Sequence, residues 1–217
     1  MAIIQSGVTQ SALLGVDPTF KAIKTTNYPQ QLLGSYSVGA RTGSLNSATP
    51  LGPLWTFKYT GPGVCVIRRL AVNLQVITAF TQGSFRVGAY FVRGVYTQGT
   101  TNTTLVNTYQ QTGAKRTSMP TPNVRIYAAT TVAILTDSTT GTVDTHPFGM
   151  FNCDLPNQIT CVPRTGMYNI YDSLHQGTYP LVLVENDGIR LQHETLMAIT
   201  GVAALIVQCE WDEMTSY

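Results

Sequence analysis

The chain has 217 residues, 43% of them apolar and only 11% charged, with a formal net charge of +2. A single domain of this length buries roughly 70% of its unfolded surface and needs no disulfides to hold a core, and no linker divides the chain into halves of different composition. The cations are dispersed: Arg68-Arg69 and Lys115-Arg116 are the only adjacent pairs and neither alternates with aromatics, so a nucleic-acid surface is not indicated, and the longest nearly apolar run, Leu196 to Val207, is too short to cross a bilayer as a helix.

A charged fraction well below the roughly 25% of ordinary soluble chains leaves a surface of Thr, Ser, Asn, Gln, Gly and Tyr, or a surface covered by something else. Few charges mean few desolvation penalties when surfaces meet, which suits a permanently assembled protein; a secreted adhesin with a Thr-rich exterior is the alternative. Met1 to Gln5 has no basic segment ahead of a long apolar one, so no signal peptide is expected and synthesis in a cytoplasm is.

Residues 1–50 carry little two-residue alternation. Asp17-Pro18, Tyr28-Pro29 and the Gly-, Ser-, Thr- and Asn-rich run from Gly34 to Pro50 break any long element. A segment of this length without regular structure is unusual inside a compact domain. Its apolar residues, among them Leu13, Leu14, Phe20, Ile23, Leu32 and Leu33, favour an arm draped over a neighbour rather than a disordered tail. These six are candidate subunit or partner contacts, and residues 51–217 are the candidate β-domain.

The β-pattern begins at Leu54. Trp55, Phe57 and Tyr59 share one face with Thr56 and Lys58 opposite, and Gly61-Pro62-Gly63 then turns the chain. In Val64 to Val76 one face reads Val64, Val66, Leu70, Val72, Leu74 and Val76, with Arg68 as the contradiction in the series. Either its stem is buried and its head meets a carboxylate or the sheet rim, or it is a subunit contact. Ser84 to Val95 alternates Phe85, Val87, Ala89 and Phe91 against Ser84, Arg86 and Tyr90. Polar loops follow at Gln98 to Thr104 and at Thr112 to Pro122, the second carrying Lys115 and Arg116 as further candidate contacts. Val124, Ile126, Ala128, Val132 and Ile134 are in phase as a strand running to Leu135, and Val143 to Tyr179 reads as irregular. Leu181 to Val184 and Ile189 to Gln192 are expected to form a hairpin around Glu185-Asn186-Asp187-Gly188, whose Asn, Asp and Gly permit positive φ. Finally Ala203, Leu205, Val207, Cys209 and Trp211 make the dry face of a strand too apolar for an exposed edge, hence central in a sheet. About six to eight strands at sandwich-like intervals, with no βαβ unit, predict an all-β chain, a jelly-roll-like antiparallel sandwich.

Groups that converge for chemistry are few. Asp172, Ser173 and His175 lie on one loop, where neighbours do not aim at a common centre. His193 and Glu194 read as exposed, and Asp212 with Glu213 as a solvated chain end whose carboxylates point to opposite faces. Cys65 and Cys209 read as buried thiols; Cys153 and Cys161 are too widely spaced for a zinc knuckle, and a disulfide between them is not favoured in a reduced cytoplasm. No phosphate loop, dinucleotide fingerprint or zinc-protease motif is present, and neither a cofactor nor an enzymatic activity is expected.

The order of several short runs nonetheless resembles that of virion structural proteins of tailed bacteriophages, the capsid decoration, cement or head-associated proteins. These runs are Gly34-Ser35-Tyr36-Ser37, Pro50-Leu51-Gly52-Pro53-Leu54-Trp55-Thr56-Phe57, Ile67-Arg68-Arg69-Leu70 and Thr78-Ala79-Phe80-Thr81, then Lys115-Arg116-Thr117-Ser118-Met119, His146-Pro147-Phe148-Gly149, Pro180-Leu181-Val182-Leu183 with Glu185-Asn186-Asp187-Gly188, and Glu210-Trp211-Asp212-Glu213. The likeness runs from about residue 34 to the end and leaves out the cysteines. It implies a non-enzymatic jelly roll on the capsid exterior, commonly a homotrimer, whose partner is the major capsid protein. The alternative from another class is a tail- or fibre-associated module that binds host glycans through loop aromatics such as Tyr109, Tyr168 and Tyr171.

Overall fold

A computed structural model describes residues 4–5, 11–12, 32–99, 103–105, 112–114, 119–130, 134–135, 141–155, 166–173, 180–197 and 200–215. Every regular element among them is a β-strand. The chain divides into a unit of residues 1–31 and a unit of residues 32–217. In the first, β1 (Ile4–Gln5) pairs antiparallel with β2 (Ser11–Ala12).

The second unit is a sandwich of two antiparallel sheets. Its strands are β3 (Leu32–Arg41), β4 (Gly52–Tyr59), β5 (Val64–Thr78), β6 (Gly83–Arg93), β7 (Thr103–Leu105), β8 (Thr112–Ala114), β9 (Val124–Ala129), β10 (Thr142–Val143), β11 (Gly149–Leu155), β12 (Tyr168–Asp172), β13 (Leu181–Leu183), β14 (Gly188–His193) and β15 (Val202–Met214). One sheet runs β10-β6-β14-β4-β9-β7 with β11 also on β6; the other runs β12-β5-β15-β3-β8 with β13 also on β5. Successive strands therefore change sheet at most connections.

The core lies between the sheets because the strands that carry strict alternation turn their apolar sets inward. Trp55, Phe57 and Tyr59 of β4, Val124, Ile126 and Ala128 of β9, Phe85, Val87 and Ala89 of β6, and the odd-numbered residues of β15 from Ala203 to Trp211 are all buried there. Phe57 of one sheet meets Trp211 of the other edge to face at 5.2 Å, and Tyr36 lies 5.6 Å from Trp211. Fully burying a side chain of this kind contributes about 1.5–3 kcal/mol, and an edge-to-face pair adds about 0.5–1.5 kcal/mol. As its composition predicts, β15 is central, flanked by β5 and β3.

Four expectations are corrected. The irregular lead-in to residue 50 contains β3, whose Tyr36, Val38 and Ala40 face the core while Ser35 and Ser37 alternate with them; small polar residues diluted the pattern. The stretch from Val143 to Tyr179 contains β11 and β12, and β11 alternates Phe151, Cys153 and Leu155 inward between two prolines. Residues Leu181 to Leu183 and Gly188 to His193 are not partners: β13 joins β5, whereas β14 sits between β4 and β6 in the other sheet. The tight turn between them is real, with Asn186 at φ 71° and Asp187 N–H donating to Val184 C=O at 3.0 Å. Its backbone is also bonded to Tyr59 and Tyr96, through Asn186 N–H to Tyr59 C=O at 2.9 Å and Tyr96 N–H to Asn186 C=O at 3.0 Å, so the chain leaves it into the other sheet.

The fourth correction concerns the face on which Arg68 stands; the carboxylate expected at its head is present as Asp212. In the β5–β15 ladder Arg69 faces Glu210 and Ile67 faces Trp211, which leaves Arg68 as the extra residue of a bulge. A bulge reverses the alternation on either side of it. Before it Cys65 and Ile67 face the core, and after it Leu70, Val72 and Leu74 do. Val66 belongs to the opposite face, so Arg68 never stood among core residues.

Candidate functional site

The two outer faces of the sandwich differ in how their charges are used. On the six-stranded sheet the charges are tied to one another. Arg68 Nε donates to Asp212 Oδ2 at 2.5 Å, and Arg69 donates to Asn169 Oδ1 at 2.8 Å while its Nη1 lies 3.9 Å from Glu210. Asn169 in turn donates to Asp172 Oδ2 at 3.2 Å, and Arg41 donates to Gln75 at 3.1 Å. Between these groups lie Ser37, Gly39, Asn73 and Gln208, and Gly39 has open space where a side chain would stand. The result is a face on which amides and small residues, with Ile206 among them, surround the bonded charges.

On the seven-stranded sheet the alternation that points Trp55, Phe57, Ile126, Ile189 and Val87 inward points Thr56, Lys58, Arg125, Tyr127, Arg190, Arg86 and Tyr90 outward. Register sets Tyr90, Arg190, Thr56 and Tyr127 side by side across four strands, and Lys58 directly opposite Arg125. Glu194 is engaged by the Tyr90 hydroxyl, and burial with that hydrogen bond pushes the Tyr90 phenol up to about 12.

After β6 the chain crosses this face. Tyr96 is buried and its ring lies over Gly188, where no Cβ would fit. Two residues on, Gln98 Nε2 donates to Thr56 Oγ1 at 3.1 Å and to Arg125 C=O at 3.0 Å. Between this crossing segment and the sheet is a cleft of about 300 Å³ lined by Lys58, Thr60, Thr97, Gln98, Arg125 and Tyr127. Burial, then the neighbouring Arg125, push the Lys58 ammonium below its ordinary value, with Glu185 pulling the other way. The Lys58 and Arg125 side chains have no hydrogen-bond or ion-pair partner among the described residues.

At one end of the core stands a buried carboxylate. Glu213 is 1% exposed; its Oε1 accepts from Asn123 N–H at 2.8 Å and Trp211 Nε1 at 3.3 Å, and its Oε2 accepts from Asn123 Nδ2 at 2.9 Å. Burial raises its pKa and these three bonds oppose the shift. The Tyr36 and Tyr59 phenols are pushed up to about 12, by burial first and then by Glu213.

Asp212 and Glu213 are thus not a solvated end: β15 continues through them, so both are paired in the middle of a sheet, on opposite faces as alternation requires. His193 is also buried rather than exposed, its ring 5.1 Å from Phe85 and its Nδ1 3.4 Å from Pro50 C=O, because the strand extends to it and its parity is inward. Burial lowers its pKa. Asp172 takes a hydrogen bond from Asn169 and Ser173 N–H donates to Arg68 C=O at 2.9 Å, while His175 lies outside the described residues. Tyr171 is buried and edge-on to Phe148, and Tyr168 is half-buried and tilted against Phe151; Tyr109 lies outside the described residues.

Of the candidate contacts, Leu13, Leu14, Phe20, Ile23, Lys115 and Arg116 lie outside the described residues, as does Cys161. Leu32 is half-buried and Leu33 is 40% exposed. Cys65 and Cys209 are buried as expected, and burial pushes both thiols up. The cleft was missed because Lys58 and Arg125 are far apart in sequence and only the β4–β9 register unites them; their outward parity was the one signal available.

Among the described residues no group of three or more His, Cys, Asp and Glu is placed to hold a metal ion, and no helix is long and apolar enough to cross a membrane. Comparison with protein-family models, with curated proteins and with solved structures finds no match.

Proposed function

We propose that this chain is a structural protein of a bacteriophage virion: a capsid decoration, or cement, protein that binds the outer surface of the shell as a homo-oligomer, a trimer by resemblance, and stabilises it without catalysis. On this reading the sandwich is of the jelly-roll class and its partner is the major capsid protein.

The observation that carries the reading is the outer face of the six-stranded sheet. Most of its charges are paired, at Arg68–Asp212 and Arg69–Glu210, and the exposed Arg41 is held by the Gln75 amide, so docking there desolvates few unpaired ions. What remains, Ser37, Gly39, Asn73 and Gln208 with Ile206 among them, is small and mostly hydrogen-bonding, suited to a broad contact. The ordered runs from Gly34 to Glu213 add the sequence likeness to virion proteins.

The mechanism is multivalent. Each subunit contact is modest, and repetition in an oligomer over a lattice raises the avidity. A protein that binds the assembled shell and not its separated subunits adds its binding free energy to the stability of the assembly. The test is cosedimentation of the purified chain with undecorated shells of its phage. Saturable occupancy and a higher shell melting temperature are expected, and deletion of residues 1–30 is expected to weaken incorporation. A chain that stays in the supernatant at saturating concentration refutes the reading.

A further inference from the structure

We infer that the cleft between the Thr97–Gln98 crossing segment and the outer face of β4 and β9 binds a sugar acid, reading a carboxylate together with a neighbouring hydroxyl. The inference does not rest on the virion reading and stands or fails separately from it.

The first observation is a like-charged pair. Lys58 and Arg125 are directly opposite in the ladder, an arrangement that destabilises a sheet when nothing neutralises it. No carboxylate forms an ion pair with either side chain among the described residues. In a chain with so few charges, two cations brought face to face make a place for an anion. A carboxylate between them removes the repulsion and gains charge-assisted hydrogen bonds, the guanidinium supplying a planar fork and the ammonium a point charge.

The second observation is independent and concerns Gln98. Its Nε2 donates to Thr56 Oγ1 and to Arg125 C=O, and flipping the amide would set two carbonyl oxygens against each other, so the orientation is fixed. Its Oε1 is thereby left buried with no donor. Buried acceptors in folded proteins have partners; this one is enclosed as the cleft stands, and because Gln98 lines the cleft a hydrogen-bond donor beside the anion reaches it once the side chain gives way. A simple carboxylate or a sulfate brings none. A carboxylate flanked by a hydroxyl does.

The third observation is the lining. All six residues carry polar groups and none is aliphatic, with Tyr127 supplying an aromatic face and Thr60 and Thr97 further hydroxyls. Most small-molecule sites are chiefly apolar and span about 300–1,000 Å³. This one, at about 300 Å³, has the size for a single sugar unit and the polarity of a hydroxylated ligand rather than of an apolar side chain from a peptide.

The test is calorimetric titration of the full chain with D-glucuronate, with D-glucose, propionate, inorganic sulfate and a blocked Asp-Gly dipeptide as comparators, at low and at physiological salt. Saturable glucuronate binding is expected, with each comparator at least about tenfold weaker, since each lacks the carboxylate or the adjoining hydroxyl, or fits the cleft less well. Lys58→Gln and Arg125→Gln should each lower glucuronate affinity about tenfold, as expected for loss of a charged hydrogen bond, with a melting temperature no lower than that of the wild type, because each removes the like-charge repulsion. Gln98→Leu should bring glucuronate down to the level of propionate. Glucose binding as well as glucuronate overturns the anion site, and sulfate binding as well overturns the hydroxyl requirement. A dipeptide that binds more tightly makes the cleft a peptide site, and no saturable binding or unaffected variants remove the site altogether.

Discussion

Replacing Glu213 by glutamine is expected to leave the fold intact and to remove a pH dependence from its stability. Glu213 is 1% exposed and holds Asn123 N–H, Asn123 Nδ2 and Trp211 Nε1, yet burial outweighs these bonds and its pKa is raised. The folded chain therefore holds a proton at pH values where the unfolded chain, titrating near about 4.3, has released it. In that window stability rises as the pH falls: the contribution is fully present below about 4.3 and is lost as the pH climbs through the folded value. Glutamine imitates the protonated acid at every pH, and the exposed Asn123 amide can turn its oxygen to meet the new NH₂. At pH 7 to 8 Glu213→Gln should thus equal or exceed the wild type, the gap closing toward pH 4. Glu213→Ala behaves differently. Asn123 Nδ2 regains water, but Asn123 N–H and Trp211 Nε1 lose their acceptor, at about 1–3 kcal/mol each, so the loss is about 2–6 kcal/mol, or roughly 10 °C in melting temperature for a chain of this size. Urea unfolding followed by tryptophan fluorescence between pH 4 and 8 reads both. If Glu213→Gln is as destabilised as Glu213→Ala at pH 7, the ionised carboxylate is a net stabiliser and the reasoning is wrong.

Two further predictions use the other buried polar groups. Burial lowers the His193 pKa, so its contribution is present above the ordinary value of about 6.5 and is lost as the pH falls through the folded value; in a Glu213→Gln background, where the opposing linkage is absent, His193→Gln should flatten stability between pH 6.5 and 5, and an unchanged slope counts against burial as the cause. For Arg68 and Asp212 the two single substitutions should be unequal. Arg68→Ala leaves a 3% exposed carboxylate without its ion-pair partner and should cost about 2–3 kcal/mol, whereas Asp212→Asn leaves a guanidinium already one third exposed and should cost about 1 kcal/mol. Equal costs in a double-mutant cycle would contradict the burial difference.

How far the chain could be read in advance follows from what alternation encodes. Strands β4, β9 and β15 each keep one face dry and β6 does so from Phe85 to Ala89, so Trp55, Phe85, Val124 and Leu205 announced both element and orientation. Alternation says nothing of which sheet a strand joins, and the turn at Asn186 therefore looked like a hairpin although its hydrogen bonds to Tyr59 and Tyr96 send the chain into the other layer. Nor does it survive a bulge: one extra residue at Arg68 moved Val66 to the outer face and Cys65 to the core. Glu213 and His193 were misplaced because their polarity outweighed their parity, when parity was the better guide. The Lys58–Arg125 cleft needed a long-range register that no local pattern contains.

The two outer faces permit one experiment that separates the proposed roles. Each face belongs to a different sheet, and the core lies between them, so a change confined to one side chain on one face leaves the register of the other untouched. Gly39 has open space around the position of a Cβ and an ordinary strand φ, so Gly39→Trp adds a protrusion without displacing a neighbour. It should fold with a melting temperature within about 2 °C of wild type, since surface substitutions away from buried features change stability by less than about 0.5 kcal/mol. On a broad contact the indole holds the partner surface away, so shell occupancy should fall at least about tenfold while glucuronate affinity is unchanged. Lys58→Gln should show the reverse, full occupancy with weakened glucuronate binding. If Gly39→Trp occupies the shell normally, the six-stranded face is not the docking surface; if Lys58→Gln alone loses the shell, the contact is made by the basic face and its cations serve the capsid rather than a sugar acid.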